Sequence, residues 1–185
     1  MLGLVLVGGL SERMGQPKAL LEYDGVPLYR RAYELLSKVC SAVYLSAREN
    51  QRFDLPTIYD GEFKDIGPAS GLLSAYKLHR DTWFVLACDF PLATEEAVSQ
   101  LAQAYSPPAT YFTSNSQIEP LFAIWSPEAL DALKENVWKG RTGPIYTLKS
   151  LGGKGVEPRD VNWLYNTNIP EEWNGILNGI ARKTD

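Results

Sequence analysis

A chain of 185 residues with 22 acidic and 18 basic side chains carries a formal net charge of −4, which excludes the broad positive field of a bulk nucleic-acid binder. A chain of this length can bury roughly 70% of its unfolded surface, so one core needs no disulfide or metal staple. One histidine, and two cysteines (Cys40 and Cys88) without metal-ligand spacing, argue against a zinc site, a Ser–His triad or a Cys–His pair.

Apolar segments alternate with helical patterns, the order of βαβ units around a parallel sheet. Residues 2–7 are the first predicted strand. Leu28, Ala32, Leu35, Leu36 and Val39 then recur at helical spacing, with Arg30, Arg31 and Lys38 off that face. Strands are predicted at 42–45 and 56–59. Gly67-Pro68-Ala69-Ser70-Gly71 opens a helix, Pro68 suiting its first turn. A buried strand spans 83–87. Thr94 caps a helix with Glu95 and Glu96 in its first turn and Ala97, Leu101 and Tyr105 beyond. Residues 111–113 and 121–125 read as two further strands. Ser126-Pro127-Glu128 begins a helix bearing Leu130, Leu133 and Val137, and 170–180 a terminal one. Gly152-Gly153 and the residues near 160 read as loops. No repeat, low-complexity tract or linker interrupts the chain. The expectation is one three-layer α/β/α domain over 1–185 with a Rossmann-like, mostly parallel sheet. No apolar run approaches the ~20 residues of a membrane span, and the first strand is too short and uncharged at its start for a signal peptide. The cysteines read as reduced thiols, so the expected location is the cytoplasm.

The most informative stretch runs from Leu4 to Lys18. An apolar strand ends in Gly8-Gly9, and a loop with Gly15, Arg13 and Lys18 follows before Leu20-Leu21. Glycines let backbone N–H groups approach a base or phosphate, and the two cations add full positive charge. Five residues between Gly9 and Gly15, and Ala19 after Lys18, rule out a Walker loop. No G-x-G-x-x-G dinucleotide fingerprint occurs. Read on loop chemistry alone, a plain strand-to-loop corner stands beside the ligand-binding reading.

The segment resembles the N-terminal signature of the molybdenum cofactor guanylyltransferases, roughly L-x-G-G-x-S-x-R-M-G-x-x-K-x-L-L followed by G-x-P-L. The matching residues here are Leu6, Gly8, Gly9, Ser11, Arg13, Met14, Gly15, Lys18, Leu20 and Leu21, then Gly25-Val26-Pro27-Leu28. The resemblance implies the nucleotide-diphospho-sugar transferase type of fold. It further implies a nucleotide-binding part over about 1–105 and a pterin-side part over about 106–185. Backbone from Leu6 through Val7 to Gly8 would read the base edge, Gly9 would also bind the nucleotide, and Arg13 and Lys18 would hold the β/γ-phosphates.

Ligands of open α/β sheets bind beyond the carboxyl ends of the strands, where further candidates sit. Asp89 follows the buried strand in Cys88-Asp89-Phe90-Pro91, where it is either a metal-directed carboxylate or a turn acceptor. Cys-Asp-x-Pro resembles the family's Mg²⁺-binding motif, which assigns Asp89 to the metal. An Asp, a short spacer and Gly-Pro-x-x-Gly also resembles the family order, so Asp60 takes the nucleotide role and Asp65 is a second candidate. Gly67 and Gly71 would let the following helix approach phosphate or pterin. Where the family commonly has Asn after its second strand, Ser46 of Ser46-Ala47-Arg48 is placed here. Ser46, Val7 in place of the usual Ala, and Gln16-Pro17 before Lys18 depart from the pattern and keep a cytidylyl relative open.

Farther on, Glu119-Pro120-Leu121-Phe122-Ala123 resembles the family's Pro-x-x-Ala segment, with Glu119 near the second substrate. Lys139-Gly140-Arg141-Thr142 resembles a Gly-x-Arg-Ser loop, giving Arg141 an anionic partner or else a plain surface place. Asn166-Thr167-Asn168-Ile169-Pro170-Glu171 resembles Asn-x-Asn-Thr-Pro-Glu, so Asn166 and Asn168 become pterin or phosphate candidates. The interval 134–159 holds six cations against two anions, a local balance of +4 that a polyanionic substrate could use. His79 and the tryptophans read as structural, with Trp163, just before the asparagine segment, as the exception. The implied activity is Mg²⁺-dependent transfer of GMP from GTP to Mo-molybdopterin. Implied partners are other cofactor-synthesis proteins or recipient molybdoenzymes, with no nucleic acid or membrane. The competing readings are the same chemistry with CTP, a sugar-1-phosphate nucleotidyltransferase, and a non-catalytic nucleotide-binding partner protein.

Overall fold

Successive side chains of strand β1 (Leu2–Leu6) point to opposite faces, and Leu4 and Val5 are both fully buried, so the strand is covered on both sides. In the computed structural model, which describes residues 1–8, 17–167 and 170–177, that covering is two layers of helices. The sheet has seven strands in the order β5-β4-β1-β6-β8-β7-β9. These are β4 (Val43–Ala47), β5 (Thr57–Tyr59), β6 (Trp83–Ala87), β7 (Ala109–Ser114), β8 (Gln117–Trp125) and β9 (Lys154–Val156). Only β8 runs against its neighbours, giving the mostly parallel sheet expected. Leu4, Trp83 and Val85 pack under α2 (Pro68–Leu78), α4 (Pro127–Trp138) and α5 (Pro144–Leu151). Val5, Phe84 and Leu86 meet α1 (Leu28–Leu36), α3 (Glu95–Ala104) and, from α6 (Pro170–Leu177), Trp173 and Ile176. No helix among the described residues is long and apolar enough to cross a membrane.

Helix starts follow local chemistry. Thr94 Oγ1 accepts a hydrogen bond from the Ala97 N–H at 3.3 Å, and Ser126 Oγ accepts from Ala129 at 3.2 Å. Pro68, Pro127 and Pro144 occupy first-turn positions, where no N–H is needed. Replacing Thr94 by Ala is expected to cost about 1 kcal/mol, a drop of roughly 2–4 °C in thermal denaturation. An unchanged melting temperature would show that this cap contributes nothing to stability.

The structure adds to the predicted elements. The two short strands at 111–113 and 121–125 are parts of one hairpin, β7 to β8, closed by Asn115 and Ser116 with φ of 50° and 63°. Two positive φ values match the twist of a hairpin, but no glycine advertises the turn. Pairing slips between Tyr111↔Ala123 and Phe112↔Glu119, and Pro120, which cannot donate to a ladder, lies in that irregularity. Helix α5, strand β9 and the small ribbon of β2 (Glu22–Tyr23) with β3 (Val26–Pro27) are also additional. The terminal helix is described to Leu177; its predicted end at 180 lies outside the described residues.

Candidate active site

Four adjacent parallel strands each hand one residue to the same rim. Gly8 follows β1, Arg48 follows β4, Asp60 follows β5 and Asp89 follows β6. Together with Lys18, Ser46 and Leu121, these residues line a cavity of about 360 Å³. It is closed on one side by the first turn of α2, Gly67 to Gly71. A helix N-terminus presents unpaired N–H groups to anions, and this one opens on the cavity. Gly67 has φ 65° and ψ −145°, a conformation that a side chain would strain, so this helix entry needs glycine.

The most polar corner surrounds Asp89. Lys18 Nζ, in the 3-10 turn Lys18–Leu20, lies 3.7 Å from Asp89 Oδ2, and the two side chains are only 18% and 22% exposed. Among the described residues the other carboxylate oxygen, Oδ1, is buried without a hydrogen-bond partner, as are Asn166 Oδ1 and Thr167 Oγ1. Thr167 N–H donates to the Asp89 carbonyl at 3.3 Å, so the 166–167 segment sits directly against this carboxylate. Burial pushes the Asp89 carboxyl above the ordinary range, opposed first by the Lys18 charge and then by backbone and Asn166 hydrogen bonds. Glu119 is raised likewise, by burial and then by repulsion from Asp89, which places β8's carboxylate beside the same corner. Burial above all, and then Asp89, raises the Cys88 thiol, so it is inert as a nucleophile.

The β4–β5 end is different in character. Burial raises the Asp60 carboxyl; the Arg48 charge opposes that, while Asp65 and Glu49 add to it. Ser46 is 4% exposed and packs beneath Gly71 of α2. Strand β4 runs to Ala47, beyond its predicted end, so the first residue past the strand is Arg48 and not Ser46. The sequence reading missed Arg48 for that reason. The available signal was that Ser46 and Ala47 are small enough to continue inside the sheet.

Of the residues singled out in the sequence, Leu6, Val7, Gly8, Lys18, Ser46, Asp60, Asp65, Gly67, Gly71 and Asp89 converge on this cavity. Asn166 joins them through Asp89. Arg141 does not line the cavity; its guanidinium donates to Tyr146 Oη at 2.5 Å on an exposed surface. Nor does any other cation of 134–159: Lys134 covers Trp138, Lys139 pairs with Glu135, and Arg159 pairs with Glu96. Gly9, Arg13 and Asn168 lie outside the described residues.

A rim of strand ends with a cation, a buried acid and a helix N-terminus suits an anionic ligand. Residues 3–151 match the family model of the MobA-like NTP transferase domain. A bifunctional molybdenum cofactor biosynthesis protein of Synechocystis sp. is 35% identical over 94% of this chain, which spans about half of it (53%). A protein named probable molybdenum cofactor guanylyltransferase from Aquifex aeolicus is 30% identical, with 94% of this chain and 88% of that protein covered. The crystal structure of molybdopterin-guanine dinucleotide biosynthesis protein A from Archaeoglobus fulgidus shares the fold. It has a TM-score of 0.80 at 21% identity over 100% of both chains. With the signature strand and loop, the sheet order and the matched span in agreement, this chain belongs to the MobA-like NTP transferase domain family.

Proposed function

We propose that this chain is a molybdenum cofactor guanylyltransferase, transferring GMP from GTP to Mo-molybdopterin and releasing pyrophosphate. The observation that carries this reading is the Lys18–Asp89 pair, 3.7 Å apart in one cavity at the carboxyl edge of the sheet. A phosphate oxygen of molybdopterin attacks the α-phosphorus of GTP, a new P–O bond forms, and the bond to the β-phosphate oxygen breaks. A phosphate monoester has a second pKa of about 6, so it is largely ionised at neutral pH and needs no strong base. The work left to the protein is to align two polyanions and offset their repulsion. Lys18 holds the departing pyrophosphate, joined by Arg13, and the α2 N-terminus offers N–H groups to phosphate or pterin. Backbone at Leu6 to Gly8 meets the base, with Gly9, Ser46 and Asp60 also on the nucleotide, and Asn166 and Asn168 serve the pterin side.

The donor set fits Mg²⁺. Asp89 Oδ1 is a buried carboxylate oxygen with no partner, and no cluster of three or more His, Cys, Asp or Glu occurs among the described residues. A single carboxylate completed by waters and phosphate oxygens is what Mg²⁺ accepts and zinc does not. Bound there, Mg²⁺ would supply charge neutralisation at the phosphate oxygens. Melting curves with GTP, CTP, ATP and UTP, with Mg²⁺ and with chelator, test the reading. GTP at 100 times its Kd should add about 2.7 kcal/mol, a rise of roughly 5–11 °C that chelation reduces. A larger rise with CTP, or none with any nucleotide, overturns it.

A further inference from the structure

Seven arginines lie among the described residues, and six of them have a side-chain partner. Arg30 pairs with Asp54, Arg80 with Asp131 and Arg159 with Glu96. Arg31 and Arg52 bond carbonyl oxygens, and Arg141 bonds Tyr146. Arg48 differs: only its backbone is engaged, its N–H donating to Gln51 Oε1 at 3.0 Å while Gln51 N–H donates to the Arg48 carbonyl at 3.0 Å. The main chain is thus pinned at the end of β4, and the half-buried side chain lines the cavity with its five guanidinium N–H donors making no hydrogen bond to any described residue. Such donors are costly to desolvate unless a ligand satisfies them.

Position identifies which part of the ligand. Neighbouring strands lie about 4.8 Å apart, so β4 ends roughly 10 Å along the rim from β6 and Asp89. With the reacting phosphate at Asp89 and Lys18, Arg48 faces the nucleoside. Asp60 follows the neighbouring strand β5 and lines the same end of the cavity, near enough for the Arg48 charge to act on its carboxyl. Guanine offers two adjacent acceptors, O6 and N7, that match the guanidinium fork. Adenine sets an N–H₂ donor beside N7, and cytosine an N–H₂ donor on the corresponding edge. We propose that Arg48 selects the nucleobase, donating paired hydrogen bonds to O6 and N7 of guanine at the β4–β5 end of the cavity. The proposal rests on the GTP-using reading above.

Titration calorimetry with GTP, CTP, 7-deaza-GTP and inosine triphosphate separates the two. The 7-deaza analogue lacks the N7 acceptor, whereas inosine triphosphate keeps O6 and N7 and lacks only the 2-amino group. Wild-type protein should bind 7-deaza-GTP about 10-fold more weakly than GTP. Arg48→Ala should bind GTP about 10- to 100-fold more weakly and no longer distinguish it from 7-deaza-GTP, while its ratio of GTP to inosine triphosphate stays at the wild-type value. Arg48→Met keeps most of the side-chain length with no donor, so it should also lose the N7 discrimination; it serves if the alanine variant does not fold. A wild-type preference for CTP overturns the guanylyl reading and this proposal with it. A wild-type preference for GTP, with the 7-deaza penalty intact in both variants, overturns the role of Arg48 alone.

Discussion

Asp89→Asn is expected to lower turnover on the order of 10²–10³-fold, the usual loss when one preorganised electrostatic contact to a reacting centre is removed. Asn has the shape of Asp without its charge, so the packing around Cys88 and Phe90, both under 8% exposed, stays intact. What goes is the negative charge facing Lys18 and one of the two acceptor oxygens, which becomes an NH2 donor. Lys18→Ala should give a loss of similar order from the other side of the pair. If the two residues act on one phosphate chain, as proposed, the double variant should fall well short of the product of the single losses. The measurement is pyrophosphate release at saturating GTP and Mo-molybdopterin, with melting curves to show that each variant folds. Full activity in a folded Asp89→Asn variant would remove this carboxylate from the reaction.

Gly71→Ala is the second large effect, and it acts on the floor of the same cavity. A Cβ on Gly71 would overlap Ser46 Oγ and stand 2.8 Å from Leu6 Cδ2 and 3.0 Å from Ser46 Cβ. Overpacking of this kind costs about 1–3 kcal/mol, a fall of roughly 2–12 °C in melting temperature for a chain of this size. Ser46 and Gly71 both line the cavity, so nucleotide affinity should fall with stability. Adding Ser46→Ala removes the hydroxyl oxygen and should restore part of both losses. If Gly71→Ala melts like the wild type, helix α2 can move away from β4, and this close approach does not set the shape of the site.

The pattern of apolar runs was enough for the central strands, because a strand buried on both faces leaves a continuous apolar run. Trp83–Ala87 has the bounds expected of it. Helix starts were legible for a similar reason, since Thr94 and Ser126 use their own side chains to bond nearby backbone. The edge of the sheet was not. Strand β9 has three residues, two of them exposed, and forms only because β7 offers it a partner. The hairpin turn at Asn115-Ser116 lacks the glycine that would mark it in sequence. Arg141 shows the limit of motif matching: a Gly-x-Arg pattern fixes local spacing, but the guanidinium is held on Tyr146, away from the cavity.

Taken alone, the sequence determined the chemistry available to this protein: a glycine-rich loop with Lys18, an acid after a buried strand, and too few histidines for other catalytic schemes. Short-range rules suffice for that, since strand, loop and cap signals lie within a few residues of the groups they position. Tertiary structure alone decided which of those groups meet. Lys18 and Asp89 are 71 positions apart and reach 3.7 Å because β1 and β6 are adjacent in the sheet. Arg48 reached the cavity because β4 runs on past Ser46, an extension carried by pairing of Ser46 and Ala47 with Ile58 and Tyr59 of β5. Strand pairing and close packing act between distant parts of the chain, so no local window contains them.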